Sequence, residues 1–287
     1  MPEGDTIFRA ARALNKALAG NMVRRFDTAY APLARVNDDT ALAGRTIERV
    51  EARGKWLLMH FSGDLILVTH MLMSGSWHMY RVGEKWRLPR RAMRVMIATD
   101  TWEAVAFNVQ IAEFHTAKTL AVHHSIPKLG PDLLGGRFDK HEAEARLREW
   151  AQDEVGVVLL NQRVMAGIGN VFKSEICFAC RVNPFRQVAS LTPAEMKCLI
   201  DTSLKLLAAN VQDGSSDGIM TYGGLRRTTG NTSREERLWV YGRRGLPCRR
   251  CGAAIHSHKQ GIDARSTYWC AECQPMVSLS AAATIDL

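Results

Sequence analysis

Cys248-Arg249-Arg250-Cys251 and, after eighteen intervening residues, Cys270-Ala271-Glu272-Cys273 make two Cys-x2-Cys pairs near the end of the 287-residue chain. Two such knuckles can close on one tetrahedral ion. Residues 252 to 269 are too few for a fold of their own and enough for a β-hairpin, so the spacing predicts a zinc ribbon, one structural Zn2+ held by Cys248, Cys251, Cys270 and Cys273, whose folding is driven by metal. The competing reading, two structural disulfides, needs an oxidising compartment. With neither a signal peptide nor an apolar run of transmembrane length, the chain is expected to be cytoplasmic, with no membrane association. A third pair, Cys177-x2-Cys180, lies in the apolar helical stretch Ile176-Cys177-Phe178-Ala179-Cys180 without a matching partner pair; both residues, with Cys198, are read as small buried hydrophobes.

Working back from the ribbon, Arg226, Arg227, Arg234, Arg237, Arg243, Arg244, Arg249 and Arg250 crowd its approach and first knuckle. A solvated charged face would look similar. Arginine chosen so heavily over lysine fits phosphate forks better, and with a formal net charge of +9 it makes nucleic acid the expected partner.

Further upstream the chain changes character twice. A first helix is predicted from about Thr6 to Ala19, where Ile7, Ala10, Ala11, Leu14 and Leu18 recur at helical spacing and Gly20 supplies the stop. Strand-like runs follow over 46–50, 55–61, 65–70, 76–82, 93–99 and 103–109, separated by Gly54, Ser62-Gly63-Asp64, Gly83 and Asp100-Thr101, and such close spacing implies an antiparallel sandwich or barrel. Beyond His123-His124-Ser125-Ile126-Pro127-Lys128 the pattern turns helical, over 140–152, 155–163, 171–180 and 193–210. A Gly/Ser-rich stretch, 213–218, and the arginine-rich loop then lead to the ribbon. The fold class is a multidomain α+β protein: an N-terminal β-sandwich with a first helix (1–122), a helical domain (128–222) and the zinc ribbon (238–275).

At the start of the chain stands Met1-Pro2-Glu3-Gly4-Asp5. Removal of Met1 would leave a proline secondary amine beside a carboxylate. An α-amino group has a pKa of about 7.7 to 8.0 against about 10.4 for lysine, so part of it is an unprotonated nucleophile at neutral pH. Such an amine can attack a sugar C1′ and form an iminium, splitting one displacement into two easier steps. Alone, the segment serves equally as an ordinary helix start, with Glu3 near the positive end. The run Met165-Ala166-Gly167-Ile168-Gly169-Asn170-Val171-Phe172 suggests a dinucleotide loop at first sight, but Phe172 replaces the third glycine and no strand-helix-strand unit surrounds it. A tight turn into a helix, capped by Asn170 and offering its positive end to a phosphate, is the better reading, with a plain capped core helix as the alternative.

These motifs, in this order, identify the chain as resembling the formamidopyrimidine-DNA glycosylase and endonuclease VIII family. The resemblance rests on Met1-Pro2-Glu3-Gly4-Asp5-Thr6, Arg53-Gly54-Lys55-Trp56-Leu57-Leu58, His70-Met71-Leu72-Met73-Ser74-Gly75, Leu129-Gly130-Pro131-Asp132-Leu133-Leu134, Ala166-Gly167-Ile168-Gly169-Asn170, Val240-Tyr241-Gly242-Arg243 and Arg265-Ser266-Thr267-Tyr268-Trp269-Cys270. It implies a helix-two-turn-helix central domain and a bifunctional DNA glycosylase and apurinic/apyrimidinic lyase acting on double-stranded DNA with oxidised bases or abasic sites, as a monomer. It further implies that the Pro2 amine attacks C1′, that Glu3 carries protons at the opening sugar, that Lys55 contacts phosphate and assists β-elimination, that Arg265 serves the phosphate beside the lesion and δ-elimination, and that Asn170 holds that phosphate from the helix side. Leu72 and Met73 match the position that fills the stack vacated by the flipped nucleotide; core packing of Met71, Leu72 and Met73 is the alternative. His60, His70, His78, His123 and His124 show no metal or triad spacing and are read as structural or solvent-facing.

Two features bear on the details. Asn161 stands where the family commonly has aspartate, which makes a DNA-damage-binding protein that does not cut an alternative from another functional class. The opening residues resemble the endonuclease VIII branch, and 104–114 lack the arginine-phenylalanine pair with which the purine branch meets the opposite base. Oxidised pyrimidines are therefore expected ahead of oxidised purines.

Overall fold

The computed structural model describes residues 2–212, 226–229, 231, 233 and 235–276. Met1, Arg234 and the Gly/Ser-rich stretch lie outside the described residues. The chain divides into two compact units, one built on the residues up to Lys128 and the other on Leu129–Asn210 with the described residues from Arg226 onward.

In the first unit α1 (Gly4–Leu18) buries Ile7, Ala10, Ala11, Leu14 and Leu18, the stripe expected from its period. Two four-stranded antiparallel sheets accompany it. One has the order β1-β6-β7-β5, from β1 (Arg25–Thr28), β5 (Ser76–Arg81), β6 (Met93–Ala98) and β7 (Trp102–Phe107). The other has the order β2-β3-β4-β8, from β2 (Ile47–Arg53), β3 (Trp56–Phe61), β4 (Leu65–His70) and β8 (Ile111–His115). Leu57, Met59 and Leu67 of one sheet and Trp77, Val95, Ile97, Ala104 and Ala106 of the other join the α1 stripe in one core. Alternation sends Tyr80, Met96, Val105 and Phe107 to the outer face of the first sheet, where Trp86 and Leu88 cover them. Burial on both faces explains why these strands read as continuous apolar runs rather than strict alternation.

Two short helices, α2 (Ala31–Asp39) and α3 (Ala117–Ala121), and the strands β1 and β8 are additions to the elements expected from sequence. The four residues of β1 are specified by their partner: Arg25 pairs with Ala98 and Thr28 with Val95.

The second unit contains α4 (Lys140–Glu149), α5 (Val155–Leu160), α6 (Asn170–Ala179) and α7 (Pro193–Gln212) around Leu147, Val158, Leu159, Ile168, Phe172, Ile176, Leu199 and Leu207. The segment preceding α4 closes on the turn between α5 and α6 at a glycine: Gly130 donates to Gln162 O at 2.9 Å, and a Cβ there would lie 2.4 Å from Val164 O. The hairpin of β9 (Ile255–Gln260) and β10 (Arg265–Cys270) packs along α6 through Phe178, Val240, Cys248, Ile255 and Cys270.

Cys180 and Cys198 correct the sequence reading. They are joined as a disulfide between the end of α6 and α7, with Cα atoms 5.8 Å apart, so only Cys177 is a fully buried free thiol in that region. Periodicity put each cysteine on a helix; that the two helices lie side by side is a tertiary fact. Burial pushes the Cys177 thiol up to about 12, which makes it an inert hydrophobe.

Candidate active site and metal centre

In the first unit Pro2 and Glu3 are buried, Glu3 completely. Glu3 is the N-cap of α1: its carbonyl accepts from Thr6 and Ile7 at 3.0 and 3.1 Å, while its side chain makes no capping bond. The carboxylate beside Pro2 is thus held by the helix start without being consumed as its cap. Asp5, also fully buried, meets Arg9 at 3.6 Å one turn on. A buried carboxylate persists only with compensating partners, so two at one helix start mark a polar pocket inside an apolar unit.

Lys55 follows Gly54 in the two-residue turn between β2 and β3, where Arg53 pairs with Trp56 and Gly54 takes φ +58°. Glycine as the first central residue suits a tight hairpin turn. The ammonium lies near His70, at the end of β4 opposite Trp56. Burial, reinforced by the Lys55 charge, depresses the His70 imidazole to about 4, so it is neutral at physiological pH. Its Nδ1 accepts the backbone N–H of Leu72 at 3.0 Å, and its ring stands edge-on to Trp56 at 4.7 Å. His70 therefore anchors the turn that presents Leu72 and Met73, a role that spacing alone did not reveal.

That turn divides its three apolar residues. Met71 is core at 2% exposure, Leu72 is half-buried in the left-handed region at φ +46°, and Met73 is 56% exposed. Gly75 closes the turn by donating to Met71 O at 2.8 Å, and a Cβ on it would meet Met71 O at 2.7 Å and Val109 Cα at 2.9 Å. The second close approach places the Asn108–Gln110 connection, which carries the chain from β7 to β8, against the same turn. Three residues leave little chain there to reach further out.

In the second unit the structure corrects the reading of Asn170 as the cap of its helix. Gly169 is the N-cap of α6 and Asn170 is the first helical residue, whose Nδ2 donates to Ser266 O at 2.8 Å. Asn170 thus ties the start of α6 to β10 at the residue after Arg265. Arg265 opens β10 behind Gly261-Ile262-Asp263-Ala264, is partly exposed, and lies 3.9 Å from Asp263. Two further side chains seal the same seam: Lys173, fully buried, donates to Thr267 Oγ1 at 2.6 Å, and Ser174 Oγ accepts from Tyr268 N at 3.3 Å.

Glu175 on α6 is another residue that sequence reasoning missed. Its carboxylate is fully buried; Oε1 accepts from the N–H groups of Val240 and Tyr241 at 2.9 and 2.8 Å, and Oε2 accepts from Trp239 N at 2.8 Å and from the Thr228 hydroxyl. Three consecutive amides on one carboxylate fix the chain entering the ribbon. Several arginines of the approach are likewise structural. Arg243 donates to Trp239 O and Pro247 O, Arg249 to Leu238 O and Glu235 O, and Arg250 lies over the Phe178 ring at 4.3 Å. Asn161, the departure from the family pattern, accepts Arg163 N–H at 3.0 Å through Oδ1, a bond that a carboxylate or an amide oxygen makes equally well.

The four ribbon cysteines converge, with all sulfur atoms within 4.8 Å of one another, Cys248 to Cys273 at 3.9 Å and Cys251 to Cys270 at 3.5 Å. Tetrahedral zinc with Zn–S of about 2.3 Å requires sulfur separations of about 3.8 Å, so the donor set fits that ion. Burial of Cys248 is outweighed by N–H donation from the following residues, Arg250 N at 3.4 Å among them, which brings its thiol down to about 7, while burial and the neighbouring sulfurs push the Cys270 and Cys273 thiols up; the donor set and its spacing, rather than acidity, carry the zinc assignment. One other group of ligand-type side chains stands out among the described residues: Glu113, His115 and His123, also within 4.8 Å. His123 Nδ1 accepts from Ser125 N and Ile126 N, both at 3.1 Å. The proton of the neutral ring is then on Nε2, so no lone pair faces Glu113 and the group is a polar cluster rather than a metal centre.

Residues 1–116 match the formamidopyrimidine-DNA glycosylase N-terminal domain, residues 129–221 its H2TH domain, and residues 245–275 the zinc finger found in FPG and IleRS. A probable endonuclease 8 2 of Streptomyces coelicolor is 39% identical over 278 residues, covering 96% of this chain and 94% of that protein. The DNA-(apurinic or apyrimidinic site) lyase Nei2 of Mycolicibacterium smegmatis is 34% identical over 274 residues, covering 96% and 99%, and endonuclease 8 of Salmonella enteritidis is 31% identical, covering 96% and 100%. Among solved structures, Lactococcus lactis Fpg in complex with DNA containing an abasic site superposes with a TM-score of 0.77 at 22% identity, covering 96% of this chain and 100% of that one, which establishes the likeness of fold. No helix among the described residues is long and apolar enough to cross a membrane.

Proposed function

The chain belongs to the formamidopyrimidine-DNA glycosylase and endonuclease VIII family, and from that premise we propose that it excises oxidised pyrimidines from double-stranded DNA and cuts the abasic strand. It is a bifunctional DNA glycosylase and apurinic/apyrimidinic lyase of base-excision repair, as its relatives named endonuclease 8 and Nei2 lead one to infer. The observation that carries the mechanism is a fully buried carboxylate, Glu3, directly after Pro2 at the start of α1.

Once Met1 is removed, the Pro2 nitrogen attacks C1′, the glycosidic electrons leave with the base, and Glu3 supplies and recovers protons as the sugar opens. The resulting iminium acidifies the C2′ hydrogen. Loss of that proton expels the 3′ phosphate in β-elimination, and a second elimination releases the 5′ phosphate. Lys55, on its tight turn beside a neutral His70, keeps a cation at the strand end for phosphate and for the first elimination. Arg265 and Asn170 hold the phosphate beside the lesion, and Arg265 assists the second elimination. Leu72 and Met73 fill the vacated stack; the half-buried and exposed positions of these two residues suit insertion better than core packing.

One zinc ion on Cys248, Cys251, Cys270 and Cys273 would supply only the cross-link that lets so short a hairpin hold its shape. The pyrimidine preference is supported by the three-residue connection at Asn108–Gln110, which leaves orphan-base contact mainly to Leu72 and Met73. The enzyme is expected to act as a monomer in the cytoplasm. Single-lesion duplexes incubated with the mature protein, with borohydride added, test the assignment. Thymine glycol, dihydrouracil and abasic DNA should be cleaved and the enzyme trapped covalently, with poor action on 8-oxoguanine opposite cytosine. Undiminished trapping by protein that retains Met1 would sink the Pro2 mechanism, and efficient 8-oxoguanine excision with no action on either pyrimidine would overturn the lesion preference.

A further inference from the structure

The Cys180–Cys198 bond involves none of the four ribbon cysteines, and its surroundings differ from those of an inert core disulfide. Cys180 closes α6 and Cys198 sits in the second turn of α7, and both are partly exposed. A surface cavity of about 530 Å³ runs from Arg181, the residue after Cys180, and Glu195, one turn before Cys198, to Cys251 and Cys273 of the ribbon; neither Cys180 nor Cys198 lines it. The Thr202 hydroxyl lies 3.3 Å from Cys180 Sγ and 3.7 Å from Cys198 Sγ, so a polar group serves both sulfurs whether or not they are bonded. Cys177, one turn before Cys180, is fully buried with its thiol pushed up to about 12, and cannot compete as an exchange partner.

We propose that Cys180 and Cys198 are a reversible dithiol/disulfide pair that fastens α6 to α7 when the protein meets a peroxide. Cys180 stands at the negative end of the α6 dipole, which disfavours its thiolate; Cys198, inside α7, carries no such penalty and is the attacking group. The Cys198 thiolate attacks one peroxide oxygen, the O–O bond breaks, and the departing hydroxide takes a proton to become water. Cys180 then attacks the sulfenic sulfur, the S–O bond breaks, and a second water leaves. Two thiols are oxidised by two electrons in all and one peroxide is reduced to two waters; an external thiol such as glutathione reverses the bond by exchange. The pair closes a loop across a separation of 18 residues and restrains α6, the helix that bears Asn170 and Glu175.

The test uses the full-length zinc-loaded protein, reduced with dithiothreitol, freed of reductant and exposed to one equivalent of hydrogen peroxide. Thiols are blocked with N-ethylmaleimide at each stage and mapped by peptide mass, with zinc content measured alongside. Cys180 and Cys198 should be alkylated after reduction and protected after peroxide, with zinc unchanged, and the oxidised protein should melt about 5 °C above the reduced one. The Cys198→Ser and Cys180→Ser variants should lose this redox-dependent shift, and Cys177→Ser should keep it. The contrast between oxidised and reduced parent protein decides the matter even where a variant folds poorly. Alkylation of both thiols after peroxide, cross-linking to a ribbon cysteine with loss of zinc, or equal melting of the two states would each overturn the proposal.

Discussion

Replacing Glu175 by glutamine changes one oxygen to an amino group and removes one charge, and the structure allows the cost to be worked out bond by bond. The native carboxylate accepts three amides and a hydroxyl inside the protein. In the best placement glutamine keeps its oxygen toward Val240 and Tyr241, and its NH2 group takes the place of Oε2. The Thr228 hydroxyl can rotate to accept from that NH2 while donating to Arg237 O, 3.3 Å away. Trp239 N–H has no such remedy and faces another donor, an unsatisfied buried group that costs about 1–3 kcal/mol. The two surviving amide bonds pass from charge-assisted to neutral and lose roughly 0.5–1 kcal/mol each. The sum is about 3 kcal/mol for Glu175→Gln, and Glu175→Ala, which strands all three amides, should exceed it. Thermal unfolding of the zinc-loaded protein should show a fall of roughly 6–12 °C for a unit of this size. Zinc should remain bound, because the four thiolates are untouched, while affinity for abasic-site DNA falls as the chain entering the ribbon loosens. A Glu175→Gln protein within about 1 °C of the parent would refute the assignment of this carboxylate as the organiser of residues 239–241.

Three other outcomes are expected. Because burial and Lys55 hold the His70 imidazole at about 4, against an ordinary value near 6.5, the native state binds fewer protons than the unfolded chain between those values; this stability is fully present above about pH 6.5 and is lost as pH falls toward 4. Urea unfolding at stepped pH should therefore show a fall on the order of 1–3 kcal/mol across that window, which His70→Gln flattens; parallel profiles for parent and variant would exclude the histidine. In Gly75→Ala the added methyl meets three backbone atoms at under 3 Å, so a loss of about 1–3 kcal/mol should accompany weaker binding of lesion DNA, read by melting and by fluorescence anisotropy. Cys270→Ser should lose zinc and DNA affinity together, whereas Arg265→Ala should keep zinc, by metal analysis, and lose DNA affinity or the second elimination; a metal content unchanged after loss of two ribbon cysteines would remove the zinc assignment.

The amino-acid sequence determined the features that depend on local spacing. The zinc ribbon was legible because two Cys-x2-Cys pairs carry their own geometry, and the sulfurs do converge. The first helix was legible from a 3.6-residue stripe, and the strand at 65–70 from an apolar run between turn residues. The family was legible because its motifs recur in order along nearly the whole chain, and the three domain matches contain all of them but Val240–Arg243. Tertiary structure decided whatever needs a partner from elsewhere. The four-residue β1 exists through its pairing with β6, β8 belongs to the sheet opposite that of β7, and Asn170 serves β10 rather than capping its own helix. Arginines that read as a phosphate-binding patch are partly spent on backbone carbonyls of their own loop, and two cysteines that read as separate hydrophobes meet as a bond. The physical reason is the same throughout. Periodicity and knuckle spacing act over one or two turns of chain, whereas His70 beneath Leu72, Glu175 beneath residues 239–241 and Cys180 against Cys198 acquire their roles from neighbours that the fold, not the local sequence, brings within hydrogen-bonding or covalent reach.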